Sequence, residues 1–402
     1  MILTDSTYKP VIASAAPTPR KYQAEAIRAG VEFFQDKKQY NALEILPTGS
    51  GKSVVIANIA KECSGKTVVF QPSKEILQQN FNKFLSYGYR AGIYSESAGM
   101  KFIDDITFAT IGSVTKKAHL FEQFKNIIVD ECHQVNPKEG MYHRFIHALG
   151  NAKVLGLTAT PYRLASGAGG AELRFLNRTS PRIFNKVLYY VQNDVLFNAG
   201  HLAPLEYYSF NVVDRTMLSM NASGTDFTEA SVRSYNRHIN LTGRTIEYAN
   251  RILAKRRNLL VFCKTVAEAW EIAAGIPGAK VVSGDTPPTE RAIILKQFKA
   301  GVIPCIVNVK VLDTGFDFPG LEAVLMSIST MSLAVYYQIA GRVMRPFQYP
   351  DGSWKTGWVV DMGGNIDFFG KIETMRVQQN EKGLYSIWNN GRQLTNVAFS
   401  KN

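Results

Sequence analysis

The sequence predicts an α/β protein of two tandem domains, each built on a parallel β-sheet. Its 402 residues are more than one hydrophobic core ordinarily supports. Short β-branched runs alternate with amphipathic helical stretches, which is the pattern of βαβ units. That alternation occurs twice, with a weaker stretch between. A composition of 46% hydrophobic and 20% charged residues fits two ordinary globular cores.

Residues 1–19, rich in Ala, Ser, Thr and Pro, read as a loose N-terminal extension. The first domain is expected over 20–202. Its strand candidates lie at 42–46, 67–70, 106–109, 126–129, 154–158 and 187–191. Helical stretches such as Lys74 to Leu85 separate most of them, and Gly65-Lys66 and Gly150-Asn151 supply turns. The glycine-rich run Ser166 to Gly170 reads as a mobile loop. Residues 203–245 lose the alternation and read as the crossing between domains with a helical preface. The second domain, 246–376, has apolar runs at 259–262, 279–282, 304–307, 323–328 and 357–361. Residues 377–402 form a polar tail with scattered aromatics and no assigned role.

The formal net charge is +13, spread over both halves, so the surface favours a polyanion. The four cysteines lie far apart with no C-x-x-C pair, which suggests neither zinc nor a disulfide framework. The N-terminus lacks the build of a signal peptide. The uncharged run Ala323 to Gly341 is long enough to raise a membrane span. It holds Ser327, Ser329, Thr330, Ser332 and Gln338 and splits into a strand-like and a helix-like half, so it reads as buried core. A cytoplasmic protein of a bacterial or phage-infected cell is expected, with no membrane partner.

The chemistry starts at Pro47-Thr48-Gly49-Ser50-Gly51-Lys52-Ser53, between the strand candidate ending at Leu46 and an apolar helix, Val54 to Ala60. Glycines let the backbone wrap close to a polyphosphate, and the helix N-terminus adds positive potential. Lys52 can reach β- and γ-phosphates, and the Ser53 hydroxyl can hold Mg²⁺. Leu46 stands where the strict pattern has glycine. Further on, the run Ile127 to Val129 delivers Asp130 and Glu131 to a strand end, where open α/β sheets bind ligands. Asp130 suits Mg²⁺, and Glu131 suits orientation of an attacking water. Thr158 and Thr160 follow another apolar strand and could relay the phosphate state. Arg342 and Arg345, three apart, are expected on one helix face, where two guanidinium groups suit a triphosphate.

These segments, in this order, resemble the motifs of superfamily 2 nucleic-acid motors. Lys52 and Ser53 match motif I, and Asp130-Glu131-Cys132-His133 is a DECH form of motif II. Phe70 to Glu75 and Ala109 to Ser113 look like motifs Ia and Ib, and Thr158 to Thr160 like motif III. Val261 to Thr265 resembles motif IV, Val307 to Asp317 motif V, and Gln338 to Arg345 motif VI. Arg20-Lys21-Tyr22-Gln23 resembles the upstream glutamine motif that reads adenine. The matches span 20–346. Gly156 to Leu164, Gly200 to Pro204, Ser283 to Pro287 and Val360 to Asn365 look in addition like RadD-type DNA-repair helicases. That family usually continues into a cysteine-rich zinc part, whereas the sequence ends here in a short cysteine-free tail.

The resemblance implies two RecA-like domains with ATP in the cleft between them. The first supplies Arg20, Gln23, the 47–53 loop, Asp130 and Glu131; the second supplies Gly315, Asp317, Arg342 and Arg345. It implies nucleic-acid contacts at Ser73, Lys74, Thr110, Ser113, Lys264, Thr265 and Thr314. Coupling between the two sites falls to His133, Thr158, Thr160 and Gln338. The expected activity is an ATP- and Mg²⁺-dependent DNA helicase or translocase in repair, recombination or replication, acting on single-stranded or branched DNA alongside repair or replication proteins. An RNA helicase, or an ATP-gated DNA-binding scaffold that does not unwind, are the alternatives.

Overall fold

The computed structural model describes residues 16–167, 170–210, 212–222, 226–312 and 316–397. The chain divides into two compact units. The first takes in Met1–Leu46, Gly51–Ala159 and Thr179–Tyr190. The second takes in Pro47–Ser50, Thr160–Arg178 and Val191–Asn402.

The elements up to residue 190 run α1 (Lys21–Gln35), β1 (Ala42–Ile45), α2 (Lys52–Glu62), β2 (Lys66–Phe70), α3 (Lys74–Ser86), β3 (Gly92–Ser95), β4 (Met100–Phe102), β5 (Ile106–Ala109), α4 (Ile111–Val114), β6 (Phe124–Asp130), α5 (Met141–Leu149), β7 (Lys153–Thr158), β8 (Tyr162–Gly167), β9 (Gly170–Phe175) and β10 (Lys186–Tyr190). Eight of these strands form one sheet, ordered β10-β1-β7-β6-β2-β5-β3-β4. Every pairing is parallel except that of β3 with the short edge strand β4. Helices cover both faces of such a sheet, which is why β1 and β7 are buried at every position. The order matters for chemistry. β7 lies between β1 and β6, with Ile45 level with Thr158 and Asp130 level with Leu157. Three strand ends therefore converge on one edge.

The chain continues through α6 (Asn193–Asn198), β11 (Leu205–Ser209), α7 (Glu229–His238), α8 (Leu241–Leu253), β12 (Leu259–Cys263), α9 (Val266–Ala274), β13 (Lys280–Val282), α10 (Pro288–Lys299), β14 (Cys305–Asn308), β15 (Ala323–Ser327), α11 (Leu333–Gly341), β16 (Gly357–Asp361), α12 (Asn365–Phe369), β17 (Met375–Gln379), β18 (Tyr385–Asn389) and β19 (Arg392–Gln393). Six strands form a wholly parallel sheet, β11-β16-β15-β12-β14-β13. Its core includes Val261, Val307, Leu325, Ala249 and Ile272.

Several segments differ from their sequence reading. Residues 203–245 are not only a crossing, because Leu205–Ser209 adds an edge strand to the second sheet. Ser166, Gly167 and Gly170 of the glycine-rich run lie on the paired strands β8 and β9, and Ala168 and Gly169 lie outside the described residues. The polar tail carries an antiparallel sheet, β17-β18-β19. Alternating exposed and buried positions along β17 give it one covered face, too short a signal to stand out in the sequence. The uncharged run 323–341 splits into β15 and α11, both largely buried. Among the described residues no helix is long and apolar enough to cross a membrane.

Candidate active site

The loop after β1 is a tight turn. The Ser50 N–H donates to the Pro47 carbonyl at 3.1 Å, and Thr48 sits within the turn. Gly49 and Gly51 have φ of 84° and 81°, a region that side-chain-bearing residues rarely adopt. Gly51 has a second reason to be glycine: a Cβ there would lie 2.5 Å from the Gln23 amide nitrogen. Gln23 is buried in the first turn of α1, and its Oε1 accepts from the N–H of Arg20, the residue that caps that helix. Gln23 of the glutamine motif and Gly51 of the P-loop thus meet within the first unit. Leu46 is fully buried, where an apolar side chain fits.

Lys52 opens α2, and its ammonium lies 3.3 Å from Glu131 Oε1. Glu131 Oε2 faces His133 Nδ1 at 3.3 Å and accepts from the Thr158 hydroxyl at 3.4 Å. His133 Nδ1 and Thr158 Oγ1 are 3.0 Å apart, closing the ring of contacts. Glu131 sits at φ 50°, ψ 48°, a left-handed conformation that costs a non-glycine residue about 1–3 kcal/mol. That turn carries the carboxylate off the strand toward Lys52. Cys132 behind it is buried, and Gly156 on β7 makes room for it: a Cβ there would lie 2.6 Å from its Sγ.

Asp130 ends β6, and its Oδ1 accepts from the Glu131 N–H at 3.0 Å. Burial, with Glu131 beside it, pushes the Asp130 carboxyl up to about 7. Burial also opposes charge on Glu131, but the Lys52 ammonium and His133 outweigh it and hold that carboxyl well below the usual range. Buried Asp130 and half-buried Glu131 thus share essentially one ammonium. The Asp130 carboxylate is a hard oxygen donor of the kind a divalent cation takes. The Ser53 hydroxyl accepts at present from Lys83 Nζ at 3.4 Å, a cation that no motif pointed to. Thr160 is fully buried just beyond β7.

In the second unit α11 ends at Gly341, so Arg342 and Arg345 do not share a helix face as expected. Arg342 is the C-cap, and Arg345 lies in the irregular segment beyond. They converge by another route. Arg342 Nη1 donates to the Phe316 carbonyl at 2.6 Å, and Arg345 Nε lies 3.3 Å from Asp317 Oδ1. Gln338 is half-buried on α11. Thr314 and Gly315 lie outside the described residues.

The residues expected to touch nucleic acid sit at C-terminal strand ends but are bonded locally. Ser73 caps α3 and accepts from the Ile76 N–H, and Lys74 begins that helix. Thr110 and Ser113 have hydroxyls 2.8 Å apart, and Ser113 also accepts from the Glu96 N–H. Thr265 and Glu268 form a capping box at α9. The Lys264 ammonium, expected on a phosphate, is paired with Asp226 at 3.0 Å.

Sequence reasoning passed over Glu44, buried on β1, and Lys355, buried after β-bridged residues Gln348 and Trp354. Glu44 interrupts an apolar run and could have been noticed. Lys355 follows Asp351-Gly352-Ser353, which reads as an exposed turn and offers no signal.

Comparison with known proteins agrees with this geometry. The family model described as "Type III restriction enzyme, res subunit" matches residues 16–163, and "Helicase conserved C-terminal domain" matches 244–346. A 51.5 kDa protein of a Lactococcus phage is 28% identical over 315 residues, covering 74% of this chain and 61% of that protein. A putative DNA 3'-5' helicase Rad25 of Haloarcula marismortui is 29% identical over 334 residues, 79% of this chain and 49% of the relative. The DNA 3'-5' translocase XPB2 of Sulfurisphaera tokodaii is 25% identical over 364 residues, 81% of this chain and 78% of the relative. The chain thus spans only about half to three fifths of the first two relatives. Among solved structures, a fragment of a putative HsdR subunit of a type I restriction enzyme from Vibrio vulnificus superposes with a TM-score of 0.65 at 20% identity, covering 90% of this chain and 68% of that one. Strand order, the P-loop and the two family matches together show that the chain carries two RecA-like helicase domains.

Proposed function

We propose that the chain is an ATP-dependent DNA translocase or helicase. The observation that carries this reading is the closed ring of Glu131, His133 and Thr158 beyond β6 and β7, with the Lys52 ammonium on Glu131. Lys52 leaves Glu131 for the phosphates when ATP enters, and Glu131 is then free to orient the attacking water. Asp130 and Ser53 would hold Mg²⁺, which would supply charge neutralisation for phosphoryl transfer. The 47–51 loop, Arg20 and Gln23 seat the nucleotide; Gly315, Asp317, Arg342 and Arg345 are assigned to ATP turnover by their likeness to motifs V and VI. Thr158 and His133 touch both Glu131 and each other, so a change at the phosphate reaches β7 through them; Thr160 is assigned to the same relay by its likeness to motif III. Gln338 couples in the second unit.

Nucleic acid runs along the strand ends that carry Ser73, Lys74, Thr110, Ser113, Lys264, Thr265 and Thr314. Local hydroxyl bonds of Ser73, Thr110, Ser113 and Thr265 preorganise those groups for phosphate contact rather than base readout. The names of the archaeal relatives support DNA as the track and 3'-to-5' as the direction. The four RadD-like stretches support a role in repair, recombination or replication on single-stranded or branched DNA.

The test is ATP turnover by the full chain with and without single-stranded DNA, with RNA as control. Stimulation by DNA is expected. Lys52→Ala should lower turnover by about 10²-fold or more while leaving the circular dichroism spectrum unchanged. Stimulation by RNA alone would mark an RNA helicase, and nucleotide binding without turnover would mark an ATP-gated scaffold.

A further inference from the structure

A lysine outside every motif holds the second unit's half of the chemistry together. Lys355 is 1% exposed. Its ammonium donates to the Pro319 carbonyl at 2.6 Å and to the Leu321 carbonyl at 2.9 Å. Both carbonyls belong to the segment that begins with Phe316 and Asp317. The same short segment is gripped by Arg342 at the Phe316 carbonyl and by Arg345 at the Asp317 carboxylate. Three cations from one stretch of chain, 342–355, thus hold a six-residue stretch, 316–321.

The return path explains how Lys355 gets there. After Arg345 the chain folds back on itself through the Gln348–Trp354 bridge, and the Lys355 N–H donates to the Phe347 carbonyl at 2.9 Å. The Tyr349 hydroxyl donates to Glu322 Oε1 at 2.7 Å, pinning the fold-back to the residue after Leu321. Position 355 is therefore delivered to the 319–321 carbonyls with its depth already set.

Burying an ammonium against carbonyls alone is costly, and an apolar side chain of similar length would fill the same volume without that cost. Burial pushes the Lys355 ammonium down to about 7, with Glu322 and Asp317 opposing and Arg345 adding to the shift. A residue that costs stability and grips the segment facing two arginines is better explained by alignment than by folding.

We propose that Lys355 is a positioning residue that sets Asp317 relative to Arg342 and Arg345 by clamping the Pro319 and Leu321 carbonyls. This rests on the ATPase reading above. Misplacing a catalytic group by about 1 Å can cost about 10²-fold in rate.

The experiment compares wild type, Lys355→Met and Lys355→Arg in the full chain, measuring DNA-stimulated ATP turnover, binding of a fluorescent ATP analogue and thermal midpoint. Lys355→Met should lose about ten- to a hundredfold in kcat, with KM and analogue affinity within about twofold. Its thermal midpoint should match or exceed wild type, and Lys355→Arg should recover part of the lost kcat. An unchanged kcat in Lys355→Met, or a kcat loss that tracks a lower midpoint without recovery by arginine, overturns the proposal. Should the Met variant not fold, Lys355→Gln takes its place; if neither folds, Lys355 is a structural tie and the proposal is wrong. A wild type without turnover sinks the ATPase reading itself, whereas an active wild type with an equally active Lys355→Met sinks only the role of Lys355.

Discussion

Glu44 is the least comfortable residue in the first unit. It lies on β1, fully buried, and neither carboxylate oxygen has a hydrogen-bond partner. Burial raises its carboxyl well above the usual range. A raised folded-state pKa means that the native state binds more protons than the unfolded one above the ordinary carboxylate range. Stability is therefore lost as pH climbs from there toward the folded value. Glu44→Leu should stabilise the chain by about 1–3 kcal/mol at pH 8, the cost of an unpaired buried polar group, with a smaller gain at pH 5. Urea denaturation at the two pH values measures it; a Leu variant less stable than wild type at both would refute this account.

At the scale of elements, two placements do most to shape the sites. Strand β7 between β1 and β6 brings Thr158 to Glu131. The C-terminal sheet is the other. It is tied to the rest of the second unit by buried amides as well as by a covered face that holds Met375, Val377 and Ile387. Asn193 Nδ2 donates to the Ile372 carbonyl at 3.0 Å and the Met375 carbonyl at 3.3 Å, and Asn193 Oδ1 accepts from the Tyr337 hydroxyl of α11 at 2.6 Å. Gln192 pairs with both the N–H and the carbonyl of Val377, as a neighbouring strand would. Asn389 ties the Phe369 and Lys371 carbonyls. Asn193→Ala strands two carbonyls and a hydroxyl in the interior. It should lower stability by about 1–3 kcal/mol and expose the chain beyond residue 370 to limited proteolysis before the rest. Cleavage in that region at the wild-type rate would contradict the tie.

For the whole molecule, the excess of thirteen positive charges over both halves predicts binding that depends on salt more than on sequence. A footprint of about three neutralised phosphates would cost single-strand affinity about tenfold or more between roughly 50 and 200 mM salt. Scrambled sequences of equal length should bind alike. Fluorescence anisotropy with labelled oligonucleotides reads both, and an affinity flat in salt would rule out phosphate tracking.

The parallel sheets, the P-loop and the acidic strand end were legible because each leaves a local mark. Doubly covered strands are continuously apolar, as in Ile127 to Val129. A phosphate loop needs glycines at fixed steps, as Gly49 and Gly51 show. An acidic pair at a strand end stands out in sequence, as Asp130 and Glu131 do. Other features left no such mark. The antiparallel sheet at the C-terminus is short and polar, and its register depends on amides at 192 and 193, far away in sequence. Helix periodicity ran past Gly341, whereas the backbone turns there and sends Arg342 and Arg345 to Phe316 and Asp317 by a different path. Lys355 reads as the charged end of an exposed turn, and only the fold-back after Arg345 buries it. Sequence by itself determined the two-domain α/β architecture and the chemistry of the nucleotide loop, because periodicity and short-range spacing encode both. Tertiary structure alone decided which distant groups share a contact, because strand order and chain reversal bring together residues whose spacing along the chain carries no trace of it.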